Sequence, residues 1–221
     1  MQKNFSISEE NYIKAIYHLQ QVDANVTTNE VANALNTKAA SVTDMLKKLK
    51  QKKILNYEKY QGFRLSKIGE KIALSIIRKH RLWEFFLVEK LNFGWDEVHE
   101  IAEELEHITS PKLISKLDAF LGHPQFDPHG DPIPDDNGKI PFQKQINLID
   151  LEINQTAEVV AVGSQNKELL ELLKHKKIAI TTQLEVVKKF AFDNSVEIKI
   201  AGQKAFNISQ QLAQTLFVKP I

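Results

Sequence analysis

The sequence predicts a mainly α-helical chain with small β parts, ordered as an N-terminal winged helix-turn-helix (1–74), a helical middle segment with a proline-rich linker (75–140) and a C-terminal SH3-like β-barrel (150–221). Three observations carry that assignment. Capping boxes and apolar residues at helical spacing recur from Ser6 to Leu121. Four of the seven prolines then fall between Gly122 and Gly138, where neither a helix nor a central strand can continue. Beyond them, short β-rich runs replace the helical period.

Ser6-Ile7-Ser8-Glu9 can close a capping box, after which Tyr12, Ile16 and Leu19 line one face of a first helix. Thr27-Thr28-Asn29-Glu30 is a second box and starts a short helix through Val31 and Leu35. Ala39 to Lys52 reads as the third, with Val42, Leu46 and Leu49 facing inward. Two short helices joined by a tight turn make a helix-turn-helix. Ile54 to Glu58 and Phe63 to Leu65, around Gln61-Gly62, add the hairpin of a wing. The candidate DNA contacts are Lys38, Ala40, Ser41, Thr43, Asp44, Lys47 and Lys48 on the third helix, with Lys59 and Arg64 on the wing. Small polar groups suit base edges and cationic groups suit phosphates. A long helix follows from Lys67 to about Lys90, with Ile68, Ile72, Ile76, Leu82 and Phe86 on its apolar face. The acidic segment Asp96 to Ile108 is the next helix, and Ser110-Pro111 opens another to Leu121. After the linker, strands are expected at Ala157 to Val162, Leu184 to Phe190, Val196 to Ile200, Lys204 to Asn207 and Thr215 to Lys219, with a helix at Lys167 to His175. Such short strands with one helix fit a small barrel.

The 221 residues include no cysteine, which excludes disulfides and thiolate ligands and suits a reducing compartment. The N-terminus lacks the apolar core of a signal peptide, and no run approaches the roughly 18 apolar residues of a membrane span, so a cytoplasmic location without membrane contact is expected. The net charge of +1 conceals opposed blocks. From Lys38 to Lys79 twelve Lys or Arg stand against three acids, whereas from Trp83 to Ile108 eight acids stand against Lys90. A basic block suits a polyanion and an acidic one a cation.

Six carboxylates and two imidazoles lie between Asp96 and His107, and helical spacing crowds His99, Glu103, Glu106 and His107 on one side. Oxygen and imidazole donors suit a hard or borderline divalent metal. His80 and Glu84 are four residues apart on the preceding helix, and the stretch from His80 to His129 holds five of the seven histidines. Asp127 and His129 alternate along an extended segment and can project to one side.

Several segments together resemble one known family: Glu10-Asn11-Tyr12-Ile13 with Ile16-Tyr17, Arg78-Lys79-His80-Arg81-Leu82 with Glu84, Val98-His99, Glu106-His107, and Gly122-His123-Pro124 through Pro134. It is the family of metal-dependent transcriptional regulators typified by the diphtheria toxin repressor and the manganese transport regulators, in its three-domain form. The resemblance spans nearly the whole chain. It implies that the middle segment dimerises and binds metal, that the C-terminal domain is FeoA-like, and that a homodimer binds a palindromic operator in double-stranded DNA when Mn(II), or alternatively Fe(II), is bound. It further implies a primary site of Asn11, Glu103, Glu106 and His107, with His80 joining it or its neighbour. The implied ancillary site takes His80, Glu84 and His99, and Asp127 and His129 complete a second site in streptococcal-type manganese members. Glu103 stands where iron-sensing members carry cysteine, which hardens the site toward Mn(II). Asn11 replaces the aspartate of manganese members, and Lys14 replaces a glutamate that supports a two-metal centre in two-domain members. The stretch Ala161 to Ser164 does not reproduce the Glu-x-x-Gln pair that some members supply from the barrel.

Two other functions fit parts of the pattern. One is a winged-helix regulator that senses an organic ligand, with the acidic helix a solvated surface. The other is a carboxylate-bridged metalloenzyme, which needs a Glu-x-x-His from each of two helices. Only Glu104-x-x-His107 has that spacing, so no enzymatic activity is expected.

Overall fold

A computed structural model describes residues 5–23, 25–58 and 62–221; Lys59, one of the expected wing contacts, lies outside them. The chain forms two compact units interleaved in sequence. The first takes residues up to His80 together with 103–115 and 134–140, and the second takes 81–102, 116–133 and 141–221. No described helix is long and apolar enough to cross a membrane.

The first unit begins with α1 (Ile7–Gln20), where Ser6 and Glu9 close the expected capping box reciprocally. A second reciprocal box, Thr27 with Glu30, opens α2 (Thr28–Ala34), and α3 (Ala39–Gln51) follows a turn at Asn36, whose φ is 45°. Strand β1 (Leu55–Glu58) pairs antiparallel with β2 (Gly62–Leu65), Leu55 opposite Leu65. Gly62 has a φ of 105°, and a Cβ there would stand 2.7 Å from the Val26 carbonyl oxygen, so this position of the wing requires glycine. The Leu65 amide donates to Gln20 Oε1 at 3.0 Å, tying the end of α1 to the wing. Ile13, Ile16, Val42, Leu46, Leu49 and Leu65 share one core. Lys38, Ala40, Ser41, Thr43, Asp44, Lys47, Lys48 and Arg64 are all exposed.

Helix α4 (Lys67–Leu91) contributes to both units. Helix α5 (Val98–Leu105) is shorter than the expected Asp96 to Ile108. Asp96 and Glu97 lie in the turn before it, where Glu97 Oε2 accepts the Gly94 amide; Glu106 and His107 lie in the turn after it. Helix α6 (Pro111–Phe120) places its proline at the first helical position, and Ser110 Oγ accepts the Leu113 amide.

In the second unit, β3 (Ile146–Asn147), β4 (Thr156–Val162), β5 (Gln183–Lys189), β6 (Val196–Ile200), β7 (Phe206–Ile208) and β8 (Leu216–Pro220) form one antiparallel sheet, ordered β3-β8-β4-β5-β6-β7. Helix α7 (Lys167–Lys176) is capped by Asn166. The two-residue β3 and the six-residue α8 (Gln210–Thr215) escape the sequence pattern because they are too short to display a period. Register shifts at Val159/Ala161 and Val186/Lys188 bend the sheet over a core that includes Leu173, Ile198 and Leu212. The proline-rich segment lies against β4: His129 O accepts the Val162 amide at 3.0 Å, and any Cβ on Gly130 would collide with the Val160 carbonyl.

Glu9 joins α1 to α3. It is 2% exposed, with Oε1 2.6 Å from Lys52 Nζ and 3.3 Å from Lys48 Nζ. Burial pushes its carboxyl up, but Lys52, the Ser6 amide and Lys48 outweigh that and bring it to about 2. The stabilisation is therefore complete above the ordinary carboxylate range and is lost as pH falls from about 4.5 toward 2. Glu9→Gln is expected to lower stability at neutral pH by about 1–2 kcal/mol, less than the shift alone implies because Lys48 is half exposed. Urea unfolding at pH 7 checks this, and equal midpoints for variant and wild type would refute it.

Candidate metal centre

Helix α1 presents Glu10, Asn11 and Lys14 at helical spacing, and in the first unit two of these meet the segment from Glu103 to His107. Lys14 Nζ lies 2.6 Å from Glu103 Oε1 and 2.7 and 2.8 Å from the two oxygens of Glu106. His80 Nδ1 lies 2.7 Å from Glu106 Oε2, and His107 Nδ1 lies 2.6 Å from Glu10 Oε2. An ionised carboxylate only accepts, so each imidazole donates through Nδ1. The lone pair of His107 is thereby left on Nε2, 3.9 Å from Glu106 Oε1. Glu106 is fully buried, which pushes its carboxyl up, yet His80 and Lys14 hold it below the ordinary range. His80, Glu103, Glu106 and His107 thus belong to one connected group. Asn11 Oδ1 is buried and accepts no hydrogen bond from the described residues, a desolvated oxygen whose cost a cation would offset.

Glu10 and Lys14 are not marked as site residues by the sequence pattern. Their i,i+4 spacing beside Asn11 is the only local signal. On the exposed face of α3, Lys47 pairs with Asp44 at 3.3 Å and Lys48 is shared with Glu9, while Thr43 Oγ1 donates to the Ala39 carbonyl.

The second unit builds another group. Glu84, Asp127 and His129 are buried, and each offers an atom within 4.8 Å of the other two. His129 Nε2 donates to the Trp95 carbonyl at 2.8 Å, since a carbonyl can only accept. Its Nδ1 therefore faces the carboxylates, 3.7 Å from Glu84 Oε2 and 4.0 Å from Asp127 Oδ1, and the ring stacks on Trp95. Asp127 Oδ1 accepts the amides of His129 and Asp131, while its buried Oδ2 has no hydrogen bond among the described residues and stands 3.6 Å from Arg81 Nε. Burial pushes the Asp127 carboxyl up, Asp131 and Glu84 push it further, and Arg81 and His129 oppose; it comes to about 8. Burial lowers His129, but Glu84, Asp127 and the Trp95 carbonyl raise it above its usual 6.5. His99 stands 3.4 Å from Glu84 Oε1. Both groups offer carboxylate oxygen and imidazole nitrogen without sulfur, a set that fits a hard or borderline divalent ion.

Residues 4–63 match the family model of the iron dependent repressor N-terminal DNA binding domain, 66–135 that of the iron dependent repressor metal binding and dimerisation domain, and 146–220 the FeoA domain. The HTH-type transcriptional regulator MntR of Oceanobacillus iheyensis is 31% identical over 152 residues, 68% of this chain and 97% of the relative. The chain belongs to the diphtheria toxin repressor and manganese transport regulator family. Within this family, the iron-dependent repressor IdeR of Mycobacterium tuberculosis is 24% identical over 96% of both chains. A manganese-dependent transcriptional repressor solved in complex with manganese superposes with a TM-score of 0.87 at 29% identity, covering 96% of this chain and 100% of that one. The structure of ScaR with bound Cd2+ gives 0.79 at 29% identity, covering 96% and 99%. Three-domain architecture and metal-dependent transcriptional regulation are thus the family's, and its three domain models match this chain in order.

Asp127 gives this family member a distinctive acid–base behaviour. Between the usual carboxylate value of 3.8 and about 8, the folded chain holds a proton there that the unfolded chain releases, so stability falls as pH rises through that window. His129 acts in the same direction: its stabilisation is present below 6.5 and is lost as pH rises through its higher folded value. Asp127→Asn keeps the amide-accepting oxygen and removes the carboxyl. Melting temperatures of the metal-free protein from about pH 5 to 8 are expected to slope downward in the wild type and less steeply in the variant. Identical slopes for the two proteins would contradict this.

Proposed function

We propose that this protein is a Mn(II)-responsive repressor, with Fe(II) the alternative ion, which binds a palindromic operator as a homodimer. The observation that carries the proposal is the set of part-buried polar contacts that join α1 to the carboxylates and imidazole of the segment from Glu103 to His107. Asn11, Glu103, Glu106 and His107 are the proposed primary ligands. His80 holds Glu106 by its Oε2, and Glu10 fixes the His107 tautomer so that Nε2 is the ligating atom. Glu84, Asp127 and His129, with His99 beside them, are the proposed second set. A divalent ion held by the primary set would supply positive charge between α1 and these carboxylates, which Lys14 already holds to the helix. α1 shares a core with α3, and Glu9 holds Lys48 and Lys52, so the position of α1 governs that of the recognition helix within the unit.

Manganese is supported by the sulfur-free donor set, with availability and geometry deciding among ions of higher intrinsic affinity, and by the manganese-dependent repressor among the similar structures. DNA is supported by the basic surplus from Lys38 to Lys79 and by the exposure of the polar face of α3. In the dimer, the two recognition helices must span half-sites roughly one DNA turn or a multiple apart. Metal shifts operator affinity only by its preference for the binding-competent arrangement, typically about 1–3 kcal/mol.

Glu106→Ala and His107→Ala are each expected to abolish the Mn(II)-dependent gain in operator affinity while retaining the wild-type circular dichroism spectrum. Fluorescence anisotropy with labelled operator measures it, and a variant that keeps the full gain would remove that residue from the ligand set. Lys47→Ala is expected to weaken binding to operator and unrelated DNA alike and to reduce the salt slope by about 1. An unchanged slope would show that Lys47 makes no phosphate contact.

A further inference from the structure

We infer that Lys14 is a tethered competitor for the primary ion, so that metal binding is an exchange of cations and Lys14 sets the metal concentration at which the protein responds. This rests on the proposed primary ligand set. The Lys14 ammonium reaches one oxygen of Glu103 and both oxygens of Glu106 at 2.6–2.8 Å, the span of charge-assisted hydrogen bonds. Hard divalent ions meet oxygen at roughly 2.0–2.6 Å, so an ion drawing on both carboxylates needs the oxygens that the ammonium holds. The two cannot share them. The lysine side chain is 12% exposed and Glu106 is fully buried, so water screens that pair little, whereas Glu103, 37% exposed, is screened more.

The competitor and an expected ligand come from the same helix. Asn11 precedes Lys14 by three residues, which places both on one side of α1. Asn11 contributes an oxygen but no charge, and therefore adds nothing electrostatic toward expelling the ammonium. Glu103 and Glu106 carry two negative charges against the single charge of Lys14; a divalent ion matches both. The advantage of the ion is thus one unit of charge, set against the hydrogen bonds that Lys14 gives up. Because that loss is the same whichever ion enters, Lys14 lowers affinity for every divalent ion by a common factor. It tunes threshold rather than selectivity.

A purely structural Lys14 predicts the opposite response to mutation. If the lysine only anchored α1, removing it would loosen the ligand set and weaken metal binding. The test titrates full-length protein with Mn(II), following free Mn(II) by electron paramagnetic resonance, in an Asp127→Asn background that takes a carboxylate from the second group. Lys14→Met and Lys14→Gln are expected to tighten binding at the primary set by about tenfold or more. Their metal-free melting temperatures are expected to fall below the parent's, because Glu103 and Glu106 then lose the ammonium they share, and Mn(II) should raise them by more than it raises the parent. Glu106→Ala in the same background tests the underlying site: parental Mn(II) affinity there would overturn the ligand assignment itself. If Glu106→Ala loses binding while both Lys14 variants, folded by circular dichroism, bind no tighter than the parent, the competitor role is overturned and the site stands.

Discussion

A carboxylate taken out of water must be compensated by a nearby positive charge or by a proton, and this requirement organises the first unit. Helix α1 meets it in both directions. Buried Glu9 is held by Lys48 and Lys52 near the end of the recognition helix, and buried Glu106 is held by Lys14 and His80. One helix therefore offers an anion to α3 and a cation to the acidic segment. Removing one partner of a buried pair leaves the other charge uncompensated, a far larger effect than losing an exposed ion pair. Apolar packing of Ile13 and Ile16 against Val42 and Leu46 supplies the core, while these ionic contacts specify how α1 is seated on it.

The second unit answers the same requirement with protons. Asp127 is fully buried among Glu84, Asp131 and His129, with Arg81 the cation facing it, and its carboxyl stays protonated well above the usual range. On the proposed function, the two groups exchange different things for an ion: the first gives up a lysine, the second gives up a proton. Metal binding is pH-linked at both groups through their imidazoles, and at the second also through the Asp127 carboxyl.

The winged helix-turn-helix was legible because its determinants are local. Ser6 with Glu9 and Thr27 with Glu30 announce two helix starts, and Val42, Leu46 and Leu49 mark the inward face of α3. Glu103, Glu106 and His107 could be singled out by residue type and by resemblance. Lys14 was noted by resemblance only as the replacement of a glutamate, and Glu10 only as part of a matching segment; the pairings of both were hidden, because their partners are 89 to 97 residues away and such contacts exist only in the folded chain. The Trp95 carbonyl that fixes the His129 tautomer was equally hidden, since any residue supplies the same backbone oxygen. The early end of α5 was missed because continuous acidic composition gives no sign of the turn that sets Glu106 and His107 apart.

The donor atoms of both groups are oxygen and imidazole nitrogen, in a chain without a single cysteine. Peroxide thus meets no thiolate among them to carry to sulfenic or sulfinic acid. That route of ligand loss, from thiolate to sulfenic acid and back by a reductant, has no atom to act on in either group. The same absence of sulfur that suits these donors to a hard ion also takes thiol redox chemistry out of both groups.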